Sequence, residues 1–196
     1  MTPPATPGLS PSQTVGPFFL TSLLREDARR NVLVGPQTQG ERIRIEGKVL
    51  DGDGAPVPDA LVEIWQANSS GRYRHPGDMR DLPLDPDFTG FGRSGTDADG
   101  WFWFETIKPG AAPYDTQRMQ APHICVIVFA RGLLNHLVTR LYFADEPSNA
   151  GDPLLLLVPA ERRGTLLARR DATDSGLVYR FNIILQGEGE TAFFAH

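Results

Sequence analysis

The sequence predicts an all-β fold, a single β-sandwich domain with an N-terminal arm, long loops and few short helices. Three observations carry that prediction. Six short runs rich in Val, Ile, Leu, Phe, Tyr and Trp are separated by turn signals, the pattern of a sandwich and not of alternating strands and helices. Glycine (20) and proline (17) are abundant, which suits turns better than a helical bundle. Only two stretches leave room for a short helix.

Residues 1–30 are expected to form the arm and a short helix, and residues 31–196 the sandwich. Pro, Thr, Ser and Gly dominate 2–17, which reads as extended chain, and "FFLTSLLREDARR" (18–30) offers the helix. "RIRIEGKVL" (42–50) alternates, with Ile43, Ile45 and Val49 on one face. "DGDGAPVPDA" (51–60) is dense turn chemistry before the strand "ALVEIWQA" (60–67). Residues 71–95 lack periodicity and form a long loop; loops of that length are commonly functional, and the aromatics and paired charges here favour an ordered one. "TDADG" (96–100) turns the chain into "WFWFETI" (101–107), where Trp101 and Trp103 share a face and should fill the core or an interface. "HICVIVFA" (123–130) and "HLVTRLYF" (136–143) flank a short Gly-containing loop and read as a hairpin. Residues 157–170 offer the second place for a helix or helical turn, and "LVYRFNIILQG" (177–187) closes the series.

Composition excludes several functions. A net charge of −5, with Lys only at 48 and 108 and no basic stripe, gives no reason to expect nucleic acid or an anionic membrane as partner. A single cysteine rules out an internal disulfide and an all-cysteine metal cage. The first residues lack a signal-peptide pattern and no run approaches a membrane span, so a cytoplasmic location is expected. Ser-His-Asp spacing, a phosphate loop and a CxxC motif are all missing from the sequence. Glu188 and Glu190 fit solvated acids in a Gly-rich turn, and His75 and His136 fit surface or packing positions.

"APHICVIVFARG" (121–132) carries the open question. His123 and Cys125 lie two apart on a strand and project from one face, where they could hold a metal ion. They also fit the remains of a metal site, or a buried histidine beside a small buried thiol.

The blocks "GKVLDGDGAPVPDALVEIWQANSSGRYRH", "LDPDFTGFGRSGTDADGWFWFETIKPG", "APHICV" and "FARG", with "PSQTVGPFF" before and "RFNIILQGEGETAFF" after them, resemble the intradiol ring-cleaving dioxygenases over nearly the whole chain. In catalytic members Fe(III) is held by two tyrosinates and an H-I-H pair of histidines, hard phenolates suiting the ferric state. The iron binds a catechol and activates it for attack by O2. The resemblance matches Tyr73 to the first tyrosine, Tyr114 to the second with a displacement of two residues, and His123 to the first histidine. Cys125 stands where the second histidine belongs, and Gln120 where those chains carry an arginine.

One branch of the family pairs two homologous chains, and this sequence resembles the one without iron. The resemblance then implies no catalytic residues in this chain alone, vestigial metal positions at Tyr73, Tyr114, His123 and Cys125, and Fe(III) on a homologous iron-binding partner. Thr14, Gly16 and Pro17 of the arm, with Arg131 of "FARG", would line that partner's pocket for protocatechuate, a carboxylated catechol, and O2. Two other readings stand beside it, a self-sufficient intradiol dioxygenase with a variant metal site and a non-catalytic sandwich module for binding.

Overall fold

A computed structural model describes residues 14–16, 18–25, 30–173 and 176–195, so most of the predicted arm, Pro17 included, lies outside the described residues. Eleven strands occur among them: β1 Arg42–Leu50, β2 Leu61–Trp65, β3 Phe91–Gly95, β4 Trp101–Ile107, β5 Ala112–Pro113, β6 Met119–Gln120, β7 His123–Phe129, β8 Leu137–Phe143, β9 Leu167–Thr173, β10 Gly176–Arg180 and β11 Ile183–Ile184. Helix α1, Phe18–Leu23, is a short α-helix.

Nine of these strands make one curled sheet in the order β11-β1-β10-β9-β8-β7-β2-β3, with β4 on the other edge of β1. The curl folds it into two layers, β4-β1-β10-β9 over β8-β7-β2-β3, linked where β8 and β9 pair in parallel through Tyr142 and Phe143. The open seam between β3 and β4 is closed by residues 30–33. Arg30 bridges Arg93, the Leu33 amide donates to Glu105 O at 2.9 Å, and the Glu105 amide donates to Asn31 O at 2.8 Å. All-β architecture is as expected, nearly closed to a barrel.

Period-two patterning builds the core. Ile43, Ile45 and Val49 from β1, Phe102 and Phe104 from β4, Ile64 from β2, and Ile124, Val126 and Val128 from β7 point inward and are buried. Burial of each such side chain contributes roughly 1.5–3 kcal/mol. Gly47 completes the β1 face because a Cβ there would lie 1.7 Å from Phe181 O, on top of the crossing backbone. The 123–130 and 136–143 hairpin forms as β7–β8, antiparallel.

Residues 157–170 take the helical-turn form of the expectation, with short 3-10 turns at Leu155–Leu157 and Arg163–Leu166, and then enter β9. Three other expectations are corrected. Residues 91–95 of the 71–95 loop form β3, whose alternating buried positions Gly92 and Ser94 are too small to read as hydrophobic. Residues 177–187 divide into β10 and β11. Trp101 and Trp103 do share a face, but it is the outer one. Arg44 stacks 4.4 Å over Trp103 and Lys48 5.0 Å over Trp101, because Phe102 and Phe104 take the inward positions.

The outer face of β7 and β8 is covered by the chain from 144 to 166. There Tyr142, Leu155, Val158, Leu166 and Ala121 form a second, smaller core around the buried carboxylate of Asp152.

Candidate functional site

Strand register sets the first layer of the site. Cys125 is paired with Trp65 of β2 on one side and Arg140 of β8 on the other, and His123 with Tyr142. Ile124, Val126 and Val128 face the main core, so the odd-numbered residues of β7 meet on the outer face.

Tyr73 is brought over this face by a compact turn. The Asn68 side-chain oxygen accepts from the amides of Ser70 and Arg72, both at 3.0 Å, and the Asn68 amide donates to Arg72 O. Gly71 in that turn has φ 78°, and a Cβ there would sit 2.0 Å from Ala111 O, so only glycine fits. The Tyr73 ring stacks on Trp65, with centroids 6.0 Å apart and planes 19° off parallel. Its amide donates to Asp78 Oδ2 at 2.9 Å.

The polar atoms settle into a neutral set. His123 Nδ1 lies 2.7 Å from Ala121 O and therefore carries the proton, which leaves Nε2 to accept from the Tyr73 hydroxyl at 3.4 Å. Burial, helped by the positive charge of Arg140, pushes His123 down to about 4, so its ring is neutral. Burial chiefly, then proximity to Cys125, pushes Tyr73 up to about 12, and burial raises the Cys125 thiol as well. Beside them the Arg140 guanidinium donates to Gln120 Oε1 at 2.5 Å, and Gln120 in turn donates to Pro113 O at 2.7 Å. Asp152 fixes the start of β7 through four acceptances: from the Ala121 amide at 2.8 Å, the Tyr142 hydroxyl at 3.1 Å, and the amides of Leu154 and Leu155 at 2.9 and 2.7 Å. A cavity of about 720 Å³ opens on the solvent side, walled by Trp65, Tyr73, His75, Arg80 and Pro113.

The structure thus brings Tyr73, His123 and Cys125 to one face and carries Tyr114 on a neighbouring hairpin. Tyr114 lies 40 % exposed on the β5–β6 hairpin, where its amide donates to Arg118 O and the Arg118 guanidinium covers its ring at 4.6 Å. Among the described residues it makes no hydrogen bond or ring contact with the other three, and no group of three or more His, Cys, Asp or Glu stands ready to hold a metal. These donors do not fit a ferric ion. They comprise one phenol, one imidazole and a thiol, with a guanidinium among them.

The other predicted positions gather elsewhere. Thr14 Oγ1 accepts from the Gly132 amide at 3.0 Å, and Arg131 Nε lies 2.8 Å from Asp59 Oδ2. Asp59 holds a left-handed backbone, φ 62°. Phe19 packs on Phe129 at 5.6 Å, its amide donating to Gly16 O, while Phe18 stays 78 % exposed. Thr14, Gly16 and Arg131 are exposed and collect at the end of β7 roughly 20 Å from His123, at about 3.3 Å per residue. His75 is exposed, His136 stacks on Phe129, and Glu190 pairs with Arg162 at 2.9 Å.

Sequence reasoning missed Arg140, Asp152, Asn68 and Asp59. A signal existed for the first: Arg140 and Tyr142 repeat the two-residue spacing of His123 and Cys125 inside an apolar strand, and a hairpin sets the two pairs side by side. Asp152 and Asn68 sit in irregular chain and gave none.

A family model described as a dioxygenase matches residues 15–187. The protocatechuate 3,4-dioxygenase alpha chain of Burkholderia cepacia is 45% identical, covering 94% of this chain and 96% of that one. The beta chain from the same organism is 42% identical over 86% of this chain and 74% of its own length. Among solved structures, the dioxygenase domain of a dioxygenase and carbohydrate-binding protein fusion from Streptomyces sp. SirexAA-E superposes with TM-score 0.63 at 30% identity, covering 93% of this chain and 98% of that one. Catechol 1,2-dioxygenase from Pseudomonas arvilla C-1, at 22% identity and TM-score 0.62 over 80% of this chain and 55% of that one, shares the fold.

Proposed function

The chain belongs to the intradiol dioxygenase family, and from that premise we propose that it is the iron-free, alpha-type subunit of a protocatechuate 3,4-dioxygenase. The observation that carries this reading is the broken cage: Cys125 stands where the second histidine belongs, and Tyr114 lies partly exposed under the Arg118 guanidinium. On this reading the chain itself does not hold the ferric ion, and its relatives include both an alpha and a beta chain.

On this reading Fe(III) sits on the homologous beta-type partner, where it supplies Lewis-acid binding of the catecholate. The complex, taken to be cytoplasmic, converts protocatechuate and O2 to 3-carboxy-cis,cis-muconate, opening the ring between its hydroxyl-bearing carbons. This chain shapes the pocket. Thr14, Gly16 and Pro17 of the arm line the partner's cavity, and Arg131 offers a guanidinium for the substrate's carboxylate or for the interface. The exposed cluster of Thr14, Gly16 and Arg131 supports that role, since it is anchored by Phe19 on Phe129 yet open to solvent.

Co-expression with the beta-type chain tests the proposal. Iron content and protocatechuate-dependent O2 uptake are expected only for the pair, with the lone chain colourless and free of stoichiometric iron. A lone chain with ferric-tyrosinate colour and turnover would favour the self-sufficient reading instead, and a pulldown recovering no iron-bearing homologue would favour a binding module.

A further inference from the structure

Asp59 and Arg131 face each other just beyond the end of a strand pair. β2 and β7 run antiparallel with Leu61 opposite Phe129, so the same register carried two residues outward sets Asp59 against Arg131. Arg131 Nε lies 2.8 Å from Asp59 Oδ2, with the arginine side chain 67 % exposed and the aspartate 27 %. The contact is made at the base of the guanidinium. Among the described residues no second carboxylate pairs with its terminal Nη groups. A guanidinium held at Nε still presents the Nη edge as a planar fork for another carboxylate.

The backbone is built to put the aspartate there. Asp59 has φ 62°, and it is the one non-glycine residue with positive φ among the described residues. Its turn is closed by Thr96, whose hydroxyl donates to Val57 O at 2.8 Å and accepts from the Ala60 amide at 2.8 Å. Ala60 and Leu61 behind it are fully buried. A left-handed backbone is uncommon for a residue with a Cβ and easiest for glycine. Glycine would therefore suit the turn, and what Asp59 adds over glycine is its carboxylate. The arginine side is tied as well. The Gly132 amide, next in the chain, donates to Thr14 Oγ1 at 3.0 Å, which fixes the arm to the same turn.

We infer that Asp59 is a positioning residue: it holds Arg131 at Nε so that the Nη edge meets the carboxylate of an aromatic substrate in the partner's pocket. The inference rests on the alpha-type reading and deepens it, because it makes this chain a source of selectivity for carboxylated over plain catechols. An exposed arginine must give up its rotamer freedom to meet a carboxylate edge-on, and a side chain already fixed at Nε has less to lose. The Asp59 charge opposes the incoming carboxylate, but at this exposure it is screened, and orientation outweighs it.

The test uses the complex co-expressed with the beta-type chain, with KM and kcat measured for protocatechuate and for catechol, which lacks the carboxylate. Asp59→Gly keeps the turn and removes the hold. It is expected to raise the KM for protocatechuate about tenfold, the worth of one oriented charge-assisted hydrogen bond, with kcat and the KM for catechol within about twofold. Asp59→Asn tolerates the left-handed backbone and still places an oxygen beside Nε, so its KM is expected to stay within about threefold. Arg131→Ala is expected to raise the KM at least as much as Asp59→Gly, and Asp59→Gly/Arg131→Ala no further than Arg131→Ala alone. The lone Asp59→Gly chain is expected to unfold at an unchanged urea midpoint. A normal KM in Asp59→Gly beside a raised one in Arg131→Ala overturns the inference and leaves the alpha-type reading intact. An equal rise for catechol, a lowered KM in both Asp59 variants, or additive effects in the double variant overturns it too. A pair that does not turn over protocatechuate removes the reading and the inference together.

Discussion

The two ends of β7 carry two different kinds of site. At the His123 end His123, Tyr142 and Asp152 are buried and hydrogen-bonded within the chain, and Asp152 ties the strand start to Tyr142 and to the covering segment. At the Phe129 end Thr14, Gly16 and Arg131 are exposed, Arg131 pairs with Asp59 in its left-handed backbone, and Phe18 projects into solvent. The first end is complete as it stands. The second leaves its groups open to solvent, and on the proposed reading that is where a partner would meet the chain.

If the contrast is real, substitutions at the two ends should act on different quantities. The largest effect on stability belongs to Asp152→Ala. It would strand three amides and a tyrosine hydroxyl in a fully buried place, and a loss of about 3 kcal/mol or more is expected in urea unfolding. A loss below about 1 kcal/mol would mean that the enclosed end is not self-supporting.

Next comes pH. His123 binds its proton at about 4 in the fold and near 6.5 when unfolded, so between those values the unfolded chain holds a proton that the native one lacks. Stability from this group is therefore full above about 6.5 and drains as pH falls toward 4, by about 3 kcal/mol at most. Unfolding midpoints at pH 7 and pH 4.5 should show the drop, and His123→Gln should flatten it. An equal drop in that variant would assign the acid sensitivity elsewhere.

Much of this was legible in the sequence, for reasons that differ along the chain. β1, β4 and β7 announce themselves because their inward positions are large and apolar and recur every second residue. β3 does not, since Gly92 and Ser94 occupy its inward positions, where Ile64, Leu33 and Phe104 already fill the space a side chain would need. β9 hides because "LARR" reads equally as a helix end, and its pairing with β8 and β10 decides the matter through contacts distant in sequence. At the site, His123, Cys125 and Tyr73 could be found from spacing and family pattern, whereas Arg140 acquires meaning only once the hairpin register sets it opposite Cys125. Asp152 is found by its hydrogen bonds alone.

Smaller effects sharpen the contrast. Tyr73→Phe removes a single long hydrogen bond to His123 while keeping the stack on Trp65, so a cost of about 0.5 kcal/mol is expected. A cost several times larger would show the hydroxyl to be the keystone of the enclosed end.

Arg131→Ala should leave the least mark on the chain itself. Its guanidinium is largely solvated and meets Asp59 at the surface, where such pairs contribute under about 0.5 kcal/mol. In the complex with the iron-bearing partner the same change should raise the KM for protocatechuate or weaken assembly at added salt, because the removed charge faces outward and not into this chain. Measured side by side, unchanged unfolding with altered KM places Arg131 at a shared pocket. The reverse result, a chain destabilised by more than about 1 kcal/mol in a complex that turns over normally, would make Arg131 a clamp on the Asp59 turn and leave both ends of β7 serving only the fold.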